Sequence, residues 1–220
     1  TSLAGYSNNS WSNKYVYTIA GSSTDTGGSG GIKYYYTTTG ATTNSTNTNS
    51  NYRSIQAEGT SKIKYRACDA AGNCSAYTSE YTIKVDKTPP TCTSSGGNTN
   101  WTNKNITLTG TCKDSGSGCK QETITKTLSS NTNSAVSPGS VQDNAGNSTT
   151  CPNQTVKIDK TAPTVPTVVL KKWANNNTAP TTSNYTSLAG YSNNSWSNKY
   201  VYTIAGSSTD TGGSGGIKYY

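Results

Sequence analysis

Residues 83–91 read IKVDKTPPT and residues 156–164 read VKIDKTAPT, so one short motif occurs twice in the chain. In each copy, apolar residues alternate with a lysine before the chain continues as Asp-Lys-Thr and reaches a proline. Such alternation is typical of a half-buried strand, and a proline ends a strand because it has no N–H to donate. The motif therefore predicts a last strand followed by a short, semi-rigid linker in each of two related domains.

Three further landmarks recur in the same order around both copies of the motif. The first is a Trp-x-Asn-Lys stretch, the second is a loop rich in Asp, Gly and Ser, and the third is an Asp-x-Ala-Gly-Asn turn. They lie at Trp11 and Trp101, at 25–31 and 114–118, and at 69–73 and 143–147. The glycine of the turn can adopt a positive φ, and the Asp and Asn side chains can bond nearby backbone, so we expect this turn at the tip of a hairpin.

The chain also repeats itself at a longer period. Residues 1–35 recur without a change at 186–220, which gives a period of 185 residues. Self-similarity of this length predicts a tandem array rather than a compact enzyme. We expect a long domain over 1–90 that lacks its first strand, a short domain over 91–164, and the start of the next long domain over 165–220.

Short alternating stretches fill both domains, and no window has the apolar spacing of a helix. Clear cases are 15–19, 63–67 and 81–85. About seven such strands per domain, separated by Gly, Asn and Ser, are the pattern of an immunoglobulin-like sandwich. The predicted fold class is all-β, with tandem immunoglobulin-like β-sandwich domains in an extended array.

The composition excludes most enzyme classes. The sequence has no histidine, so it lacks a His general base, a Ser-His-Asp or Cys-His pair and any His-bearing metal site. Leu, Ile, Val and Phe make up only about 11% of the chain, whereas Thr and Tyr, which suit pleated strands, are abundant. We expect a protein that is not an enzyme and has no certain cofactor.

Charge and apolar runs bear on the partners of the chain, and cysteine content bears on its compartment. The net charge of +8 comes from scattered basic residues, which is typical of a solvated surface, so no nucleic-acid partner is expected. No run of about 18 apolar residues occurs, so no membrane insertion is expected within this segment. Six cysteines in a Ser-, Thr- and Asn-rich chain fit disulfides in an oxidising compartment, which predicts an extracellular protein.

The turns DAAGN and DNAGN, each followed by V/I-D-K-T-x-P, resemble the bacterial immunoglobulin-like (Big-type) repeats of long extracellular surface adhesins and filaments. The resemblance covers essentially the whole chain. It implies a location at the bacterial cell surface or in the secreted fraction, with neighbouring copies of the same repeat as partners. It also implies that Ca²⁺, held by Asp side chains at domain junctions, stiffens the stalk.

Strand order predicts where such a calcium site would lie. In a seven-stranded sandwich, the loop after the second strand and the hairpin before the last strand both lie at the end where the chain enters. We therefore expect the linker residue Asp86 near Asp114 and Asp143, three carboxylates that could form an oxygen cage for Ca²⁺. The same arrangement is expected at the neighbouring junctions, from Asp159, Asp210, Asp69 and Asp25.

Two alternatives to the metal stay open. Aspartates in turns commonly cap backbone amides, and this role alone explains the Asp of each Asp-x-Ala-Gly-Asn turn. The lysine that follows each linker Asp could also pair with it. A self-formed Lys-Asn isopeptide bond beside Glu58 or Glu122 is a further possibility, but no such trio recurs in both domains.

The cysteines are expected to stabilise a chain that is poor in aliphatic residues. Two of them flank the DAAGN turn and would face each other across a hairpin, and two bracket the loop 114–118 in the same manner. The four cysteines of the short domain allow three connectivities, which stay open. The favoured pairs are Cys68 with Cys74, Cys112 with Cys119, and Cys92 with Cys151.

We interpret the chain as a structural repeat unit of an extracellular bacterial surface adhesin stalk or filament that supplies length and rigidity. The alternative is a carbohydrate-binding or accessory immunoglobulin-like module of a secreted hydrolase, with surface glycans or other cells as partners. Tyr34, Tyr35 and Tyr36 bear on this choice because adjacent strand residues point to alternate faces. At least one of the three is expected at the surface, where it could contact sugar or a neighbouring filament.

Overall fold

The computed structural model describes residues 5–43, 50–172, 189–190, 201–205, 208 and 210–211. Every regular element in these residues is a β-strand, so the all-β prediction is confirmed. In chain order the strands are β1 (Trp11–Ser12), β2 (Val16–Ile19), β3 (Lys33–Gly40), β4 (Tyr52–Ile55), β5 (Gly59–Cys68), β6 (Tyr81–Val85), β7 (Thr91–Ser95), β8 (Ile106–Lys113), β9 (Thr123–Leu128), β10 (Thr132–Val136), β11 (Ser140–Gln142), β12 (Ser148–Thr150), β13 (Gln154–Ile158), β14 (Val168–Lys172), β15 (Ala189–Gly190) and β16 (Val201–Ala205).

The first six strands form two sheets around one core. One sheet has the order β1-β6-β5-β3 and the other pairs β2 with β4. Alternate residues of these strands point inward, as the period of two requires. The core side chains are Val16, Tyr36, Ile55, Ile63, Tyr65, Ile83 and Val85. The arrangement is sandwich-like, and β1 joins it through a short parallel pairing with the last strand, β6.

The following strands form smaller sheets. β8 lies between β7 and β9, β10 pairs with β13, and β11 pairs with β12. Along β8 the residues Leu108, Gly110 and Cys112 are buried in alternation, as expected for one face of a strand. Further along the chain, β14 lies between β15 and β16.

The chain divides into two compact units. The first contains Thr1–Gly97, Thr107–Thr127 and Ala135–Gln154, and the second contains Asn98–Ile106, Leu128–Ser134 and Thr155–Tyr220. This division does not test the domains 1–90, 91–164 and 165–220, which stay predictions.

Three disulfides are present, Cys68–Cys74, Cys92–Cys151 and Cys112–Cys119. They join the pairs that the sequence analysis favoured. Cys112 and Cys151 are buried with Val141, so two of the bridges contribute to a small core. Disulfides persist in oxidising compartments, and the three together indicate a secreted or extracellular protein. In the part of the chain that the structure describes, there is no helix capable of spanning a membrane.

Candidate functional site

Three aspartate side chains converge beside the linker that follows β6. Carboxylate oxygens of Asp86, Asp114 and Asp143 all lie within 4.8 Å of one another. Asp86 and Asp143 are buried, with 2% and 1% of their surfaces exposed, and Asp114 is partly buried. Each directly follows a strand, namely β6, β8 and β11. The structure therefore brings together the three residues expected at the first junction.

The linker is fixed to the residues that precede it. Asp86 N donates to Ser12 O at 2.9 Å, and Thr88 N donates to Asp86 Oδ1 at 3.1 Å. Glu58 accepts two bonds from the linker, one from Lys87 N at 3.0 Å and one from Thr88 Oγ1 at 2.9 Å. These four hydrogen bonds orient the chain before it reaches the prolines.

Asp86 is also held by residues that follow it. Ser117 N donates to Asp86 Oδ2 at 2.6 Å, and Asn147 Nδ2 donates to Asp86 O at 2.9 Å. A Cβ on Gly116 would stand 2.4 Å from Asp86 Oδ2, so only glycine allows this approach. We call Gly116, Ser117 and Asn147 the linker socket. It binds both the side chain and the backbone of Asp86.

Asp114 and Asp143 order their own turns. Gly118 N donates to Asp114 Oδ2 at 2.6 Å. Asp143 Oδ1 accepts from Gly146 N at 2.7 Å and from Asn147 N at 2.8 Å, and its Oδ2 accepts from Asn147 Nδ2 at 2.7 Å. Gly146 has a φ of 98°, as expected at the tip of this hairpin. Backbone capping therefore accounts for part of the bonding capacity of both carboxylates.

The donor set also suits a hard divalent cation. Ca²⁺ prefers carboxylate and carbonyl oxygens, and three carboxylates this close repel one another unless a cation or hydrogen bonds offset their charge. The neighbouring lysine is directed elsewhere, since Lys87 Nζ lies 4.7 Å from the centre of the Tyr15 ring. Asp86, Asp114 and Asp143 are the residues that would hold the ion. The calcium site itself stays a prediction.

The second linker is fixed in the same way to the residues before it. Asp159 N donates to Thr102 O at 2.9 Å, and Thr161 N donates to Asp159 Oδ1 at 3.0 Å. Asn131 Oδ1 accepts from Lys160 N at 2.8 Å, and Asn131 Nδ2 donates to Thr161 Oγ1 at 2.6 Å. Lys160 Nζ donates to Asn105 Oδ1. Both linkers therefore leave the strand before them with matching hydrogen bonds.

The second expected cluster, of Asp159 with Asp210 and the next copy of Asp69, is described only in part. Asp159 is buried, with 8% of its surface exposed, and Asp210 is partly buried. Residues 212–220 lie outside the described residues, and the position expected for a further copy of Asp69 is not among the 220 residues. The second junction stays a prediction.

Asp25 and Asp69 occupy the loop and the turn at the start of the chain. Asp25 Oδ1 accepts from Gly27 N at 2.8 Å, and its Oδ2 accepts from Ser29 Oγ at 3.0 Å. The Gly27 hydrogen bond, followed by that of Ser29, lowers the pKa of Asp25. The Asn73 side chain, which donates to Asp69 Oδ2 at 2.8 Å, is the largest cause of the lowered pKa of Asp69. Both carboxylates are therefore held ionised.

The adjacent tyrosines differ in exposure. Tyr36 is buried, with 4% of its surface exposed, and packs edge-to-face on Tyr65 with ring centres 5.8 Å apart. It belongs to the core, so it is not available to sugar. Tyr34 and Tyr35 are partly buried, and the Tyr34 hydroxyl accepts from Ser23 N at 3.0 Å. A sugar or lateral contact at these two residues stays a prediction.

Three residues that hold the linkers are not predicted from the sequence. Glu58 is expected from the sequence only beside an isopeptide bond, and nothing local marks Asn131 or Asn147 as a side chain that binds a linker. A signal for the first two exists, because Glu58 lies 28 positions before Asp86 and Asn131 lies 28 positions before Asp159. The change from carboxylate to amide hides this correspondence, although both side chains accept from the backbone of the lysine that follows the linker Asp.

Comparison with known proteins finds no family model that matches the chain and no curated protein with significant similarity to it.

Proposed function

We propose that the chain is a non-catalytic structural repeat of an extracellular bacterial surface adhesin stalk or filament, built from tandem immunoglobulin-like sandwich domains. Its task is to supply length and rigidity. The partners of each repeat are the neighbouring copies of the same repeat. Ca²⁺ at the Asp86, Asp114 and Asp143 junction is the candidate stiffening ion.

The observation that carries this proposal is the bonding of Asp86 on both sides. Ser12 and Glu58 fix the linker to the residues before it, and the linker socket fixes it to the residues after it. A linker held in this way cannot act as a free hinge, because bending would break hydrogen bonds of a buried charged residue. Rigid linkers suit a protein that works as a spacer.

Three features of the chain agree with this function. The 35-residue segment recurs at a period of 185 residues, as in tandem arrays. The disulfides suit an oxidising, extracellular setting. The sequence has no histidine, which removes the commonest general base.

The alternative is a carbohydrate-binding or accessory module of a secreted hydrolase. Its support is the exposure of Tyr17, Tyr52 and Tyr81, each with more than half of its surface accessible. Aromatic side chains of this kind can stack on sugar rings. The alternative predicts a sugar-dependent change in intrinsic fluorescence, which a spacer does not.

The proposed function is tested by small-angle X-ray scattering on a recombinant chain of two full periods, first in calcium and then in a chelator. We expect an extended particle that gains flexibility when calcium is removed. The matched variant Asp114→Asn should behave in calcium as the unmodified chain behaves in chelator.

Each other outcome has a defined meaning. If the particle is extended and its flexibility does not change in chelator, the stalk proposal stands and the aspartates act only as caps of backbone amides. A compact particle contradicts the stalk and favours the accessory module.

A further inference from the structure

The sheet β1-β6-β5-β3 brings together cations that are scattered in the sequence. Along β5 the side chains of Ser61, Ile63 and Tyr65 are buried, so the residues between them point to the opposite face of the sheet. The same alternation holds around Tyr36 on β3 and Ile83 on β6, which belong to the core. We call the side away from the core the outer face. Its basic side chains are Lys33 on β3, Lys62, Lys64 and Arg66 on β5, and Lys84 on β6.

Acidic side chains do not neutralise the outer face. Lys62 Nζ lies 2.7 Å from Glu80 Oε1, and among the described residues this is the only ion pair that its cations form. Lys62, Lys64 and Arg66 alternate along β5, and alternate residues of a strand are about 7 Å apart. This spacing is below the Debye length of about 8 Å in physiological salt, so their charges add to one positive field.

The fold does not require these charges. β10 and β11 precede the second Asp-x-Ala-Gly-Asn turn, as β5 precedes the first. Residues 132–142 contain no lysine or arginine, whereas 59–68 contain three. A row of like charges repels itself, and the related strands form without one. The cations of β5 therefore call for an explanation other than folding.

Two tyrosine rings orient the Arg66 guanidinium. Its Cζ lies 5.9 Å from the centre of the Tyr35 ring and 5.1 Å from the centre of the Tyr77 ring. Lys64 Nζ lies 4.8 Å from the centre of the same Tyr77 ring. Within the described residues the guanidinium donates to no acceptor, and its Nε is buried without a partner. Cation–π contacts order a guanidinium without using its N–H groups, so its terminal donors remain for a ligand.

Hydroxyl groups stand beside the cations of the outer face. Residues directly opposite each other on antiparallel strands are neighbours on one face of the sheet. The opposed pairs are Thr37 with Lys64, Thr39 with Lys62, and Thr60 with Lys84. At these positions the face alternates cations with hydroxyls. A linear chain of acidic sugars presents the complementary groups, carboxylates and hydroxyls, along its length.

We propose that the outer face binds a linear acidic polysaccharide, with Arg66 and Lys64 pairing with its carboxylates and the neighbouring threonines with its hydroxyls. Single-stranded nucleic acid fits less well, because its sites use aromatic rings that stack on bases and the rings of Tyr35 and Tyr77 are engaged by cations. The inference goes beyond the proposed spacer and depends on neither the linker nor calcium. A stalk with such a face would also be attached to an anionic glycan.

The test measures binding of the full chain to oligogalacturonate, a linear chain of uronic acids, by isothermal titration calorimetry. A chelator is present throughout, because calcium can bridge a uronate to the aspartates of the candidate site. The methyl ester of the same oligosaccharide lacks the charge and is the matched control ligand. A single-stranded oligodeoxythymidylate of equal charge tests nucleic acid in its place.

Variants separate the outer face from the net charge of the chain. The double variant Lys64→Gln with Arg66→Gln removes two cations from the outer face. Its matched control, Lys104→Gln with Lys126→Gln, removes two exposed cations elsewhere. Both double variants change the net charge by the same amount.

Two further variants test the orientation of the cations and guard against misfolding. Tyr77→Leu keeps the charge and removes the ring that Lys64 and Arg66 share. Should the outer-face double variant fail to fold, Lys33→Gln with Lys84→Gln removes two other cations from the same face.

We expect saturable binding of oligogalacturonate that weakens as NaCl is added. Affinity should fall at least about tenfold for the outer-face double variant and about threefold for Tyr77→Leu. The control double variant should lose less than about twofold, since its cations are distant and screened.

Four results would overturn the inference. They are the absence of saturable binding to oligogalacturonate, equal binding of its methyl ester, equal losses in the two double variants, and tighter binding of the oligodeoxythymidylate. The scattering experiment is independent of this one, since an extended particle that binds no glycan keeps the stalk and rejects the glycan. A compact particle that binds oligogalacturonate through the outer face does the reverse.

Discussion

At the scale of single residues, the linker depends on side chains with more than one partner. Asn147 Nδ2 donates both to Asp86 O and to Asp143 Oδ2, so one amide connects the linker to the turn. Asn73 has the same place in the first turn and donates to Asp69 Oδ2, but it is exposed. Comparing Asn147 with Asn73 therefore separates the contribution of the turn itself from the additional contribution of the bond to the linker.

Replacing Asn147 with alanine should lower the free energy of unfolding by about 1–3 kcal/mol, because it leaves buried acceptors without their donor. Asn73→Ala is the control and should cost less than about 1 kcal/mol, since water can replace an exposed donor. Urea denaturation followed by circular dichroism measures both. Equal losses would mean that the bond to Asp86 contributes nothing beyond the turn.

The pH dependence of Asp69 follows from its lowered pKa. Hydrogen bonds favour the ionised form, so the folded pKa lies below the ordinary value of 3.8. The stabilisation is complete above pH 3.8 and is lost as the pH falls through the folded pKa. NMR titration of the side-chain carboxyl should show this low midpoint, and Asn73→Ala should move it upward. A midpoint at or above 3.8 would contradict the assigned hydrogen bonds.

At the scale of elements, the loop after β8 fits more closely against its aspartate than the corresponding loop at 25–31 does. The loop after β8 approaches Asp86 through Gly116, whereas the corresponding Gly27 would place a Cβ 3.3 Å from Asp25 Oδ1. A Cβ at Gly116 would meet the buried carboxylate of Asp86, which cannot move aside. A Cβ at Gly27 would meet a side chain that is only partly buried.

Gly116→Ala should therefore destabilise the chain by about 1–3 kcal/mol through steric overlap with Asp86. Gly27→Ala, at the equivalent place in the first loop, should change stability by less than about 0.5 kcal/mol. Thermal unfolding of the two variants in parallel measures the difference. If both are neutral, the linker socket is not closed around the carboxylate.

The disulfides should differ in their contribution according to the length of chain they enclose. Cys92 and Cys151 are 59 residues apart in sequence, and Cys112 and Cys119 are 7 apart. Loop-closure entropy gives about 4 kcal/mol for the long loop and about 2.5 kcal/mol for the short one. Denaturation of the paired Cys→Ser variants checks this order, and a larger loss for Cys112→Ser with Cys119→Ser would reverse it.

The local alternation of apolar and polar residues was sufficient to predict the strands, but it was not sufficient to predict the contacts that hold the linker. The alternation at 81–85 predicted β6 at its observed bounds, and the alternation at 15–19 predicted β2 to within one residue. The bonds of Glu58 and Asn147 to the linker join residues 29 to 61 positions apart, and no local pattern encodes them. The burial of Tyr36 also depended on which face of β3 lies against the core, which alternation alone leaves open.

At the scale of the whole molecule, the period of 185 residues should act as a unit of length. If junctions are rigid, each added period lengthens the particle by the same amount, as in other repeat proteins. Scattering from chains of one, two and three periods should give a maximum dimension that rises linearly. A rise that falls off with the number of periods would indicate flexible junctions.

The disulfide between Cys92 and Cys151, which encloses a long stretch of chain, has a further consequence for a protein exposed to extracellular proteases. Exposed loop tips are the preferred sites of cleavage, and the chain is rich in such loops. Because Cys92 is joined to Cys151, a single cleavage anywhere between them opens a loop without separating the two halves of the chain. The short bridges protect the DAAGN turn and the loop 114–118 in the same way. A nicked chain would therefore remain continuous and still bear tension until its disulfides were reduced.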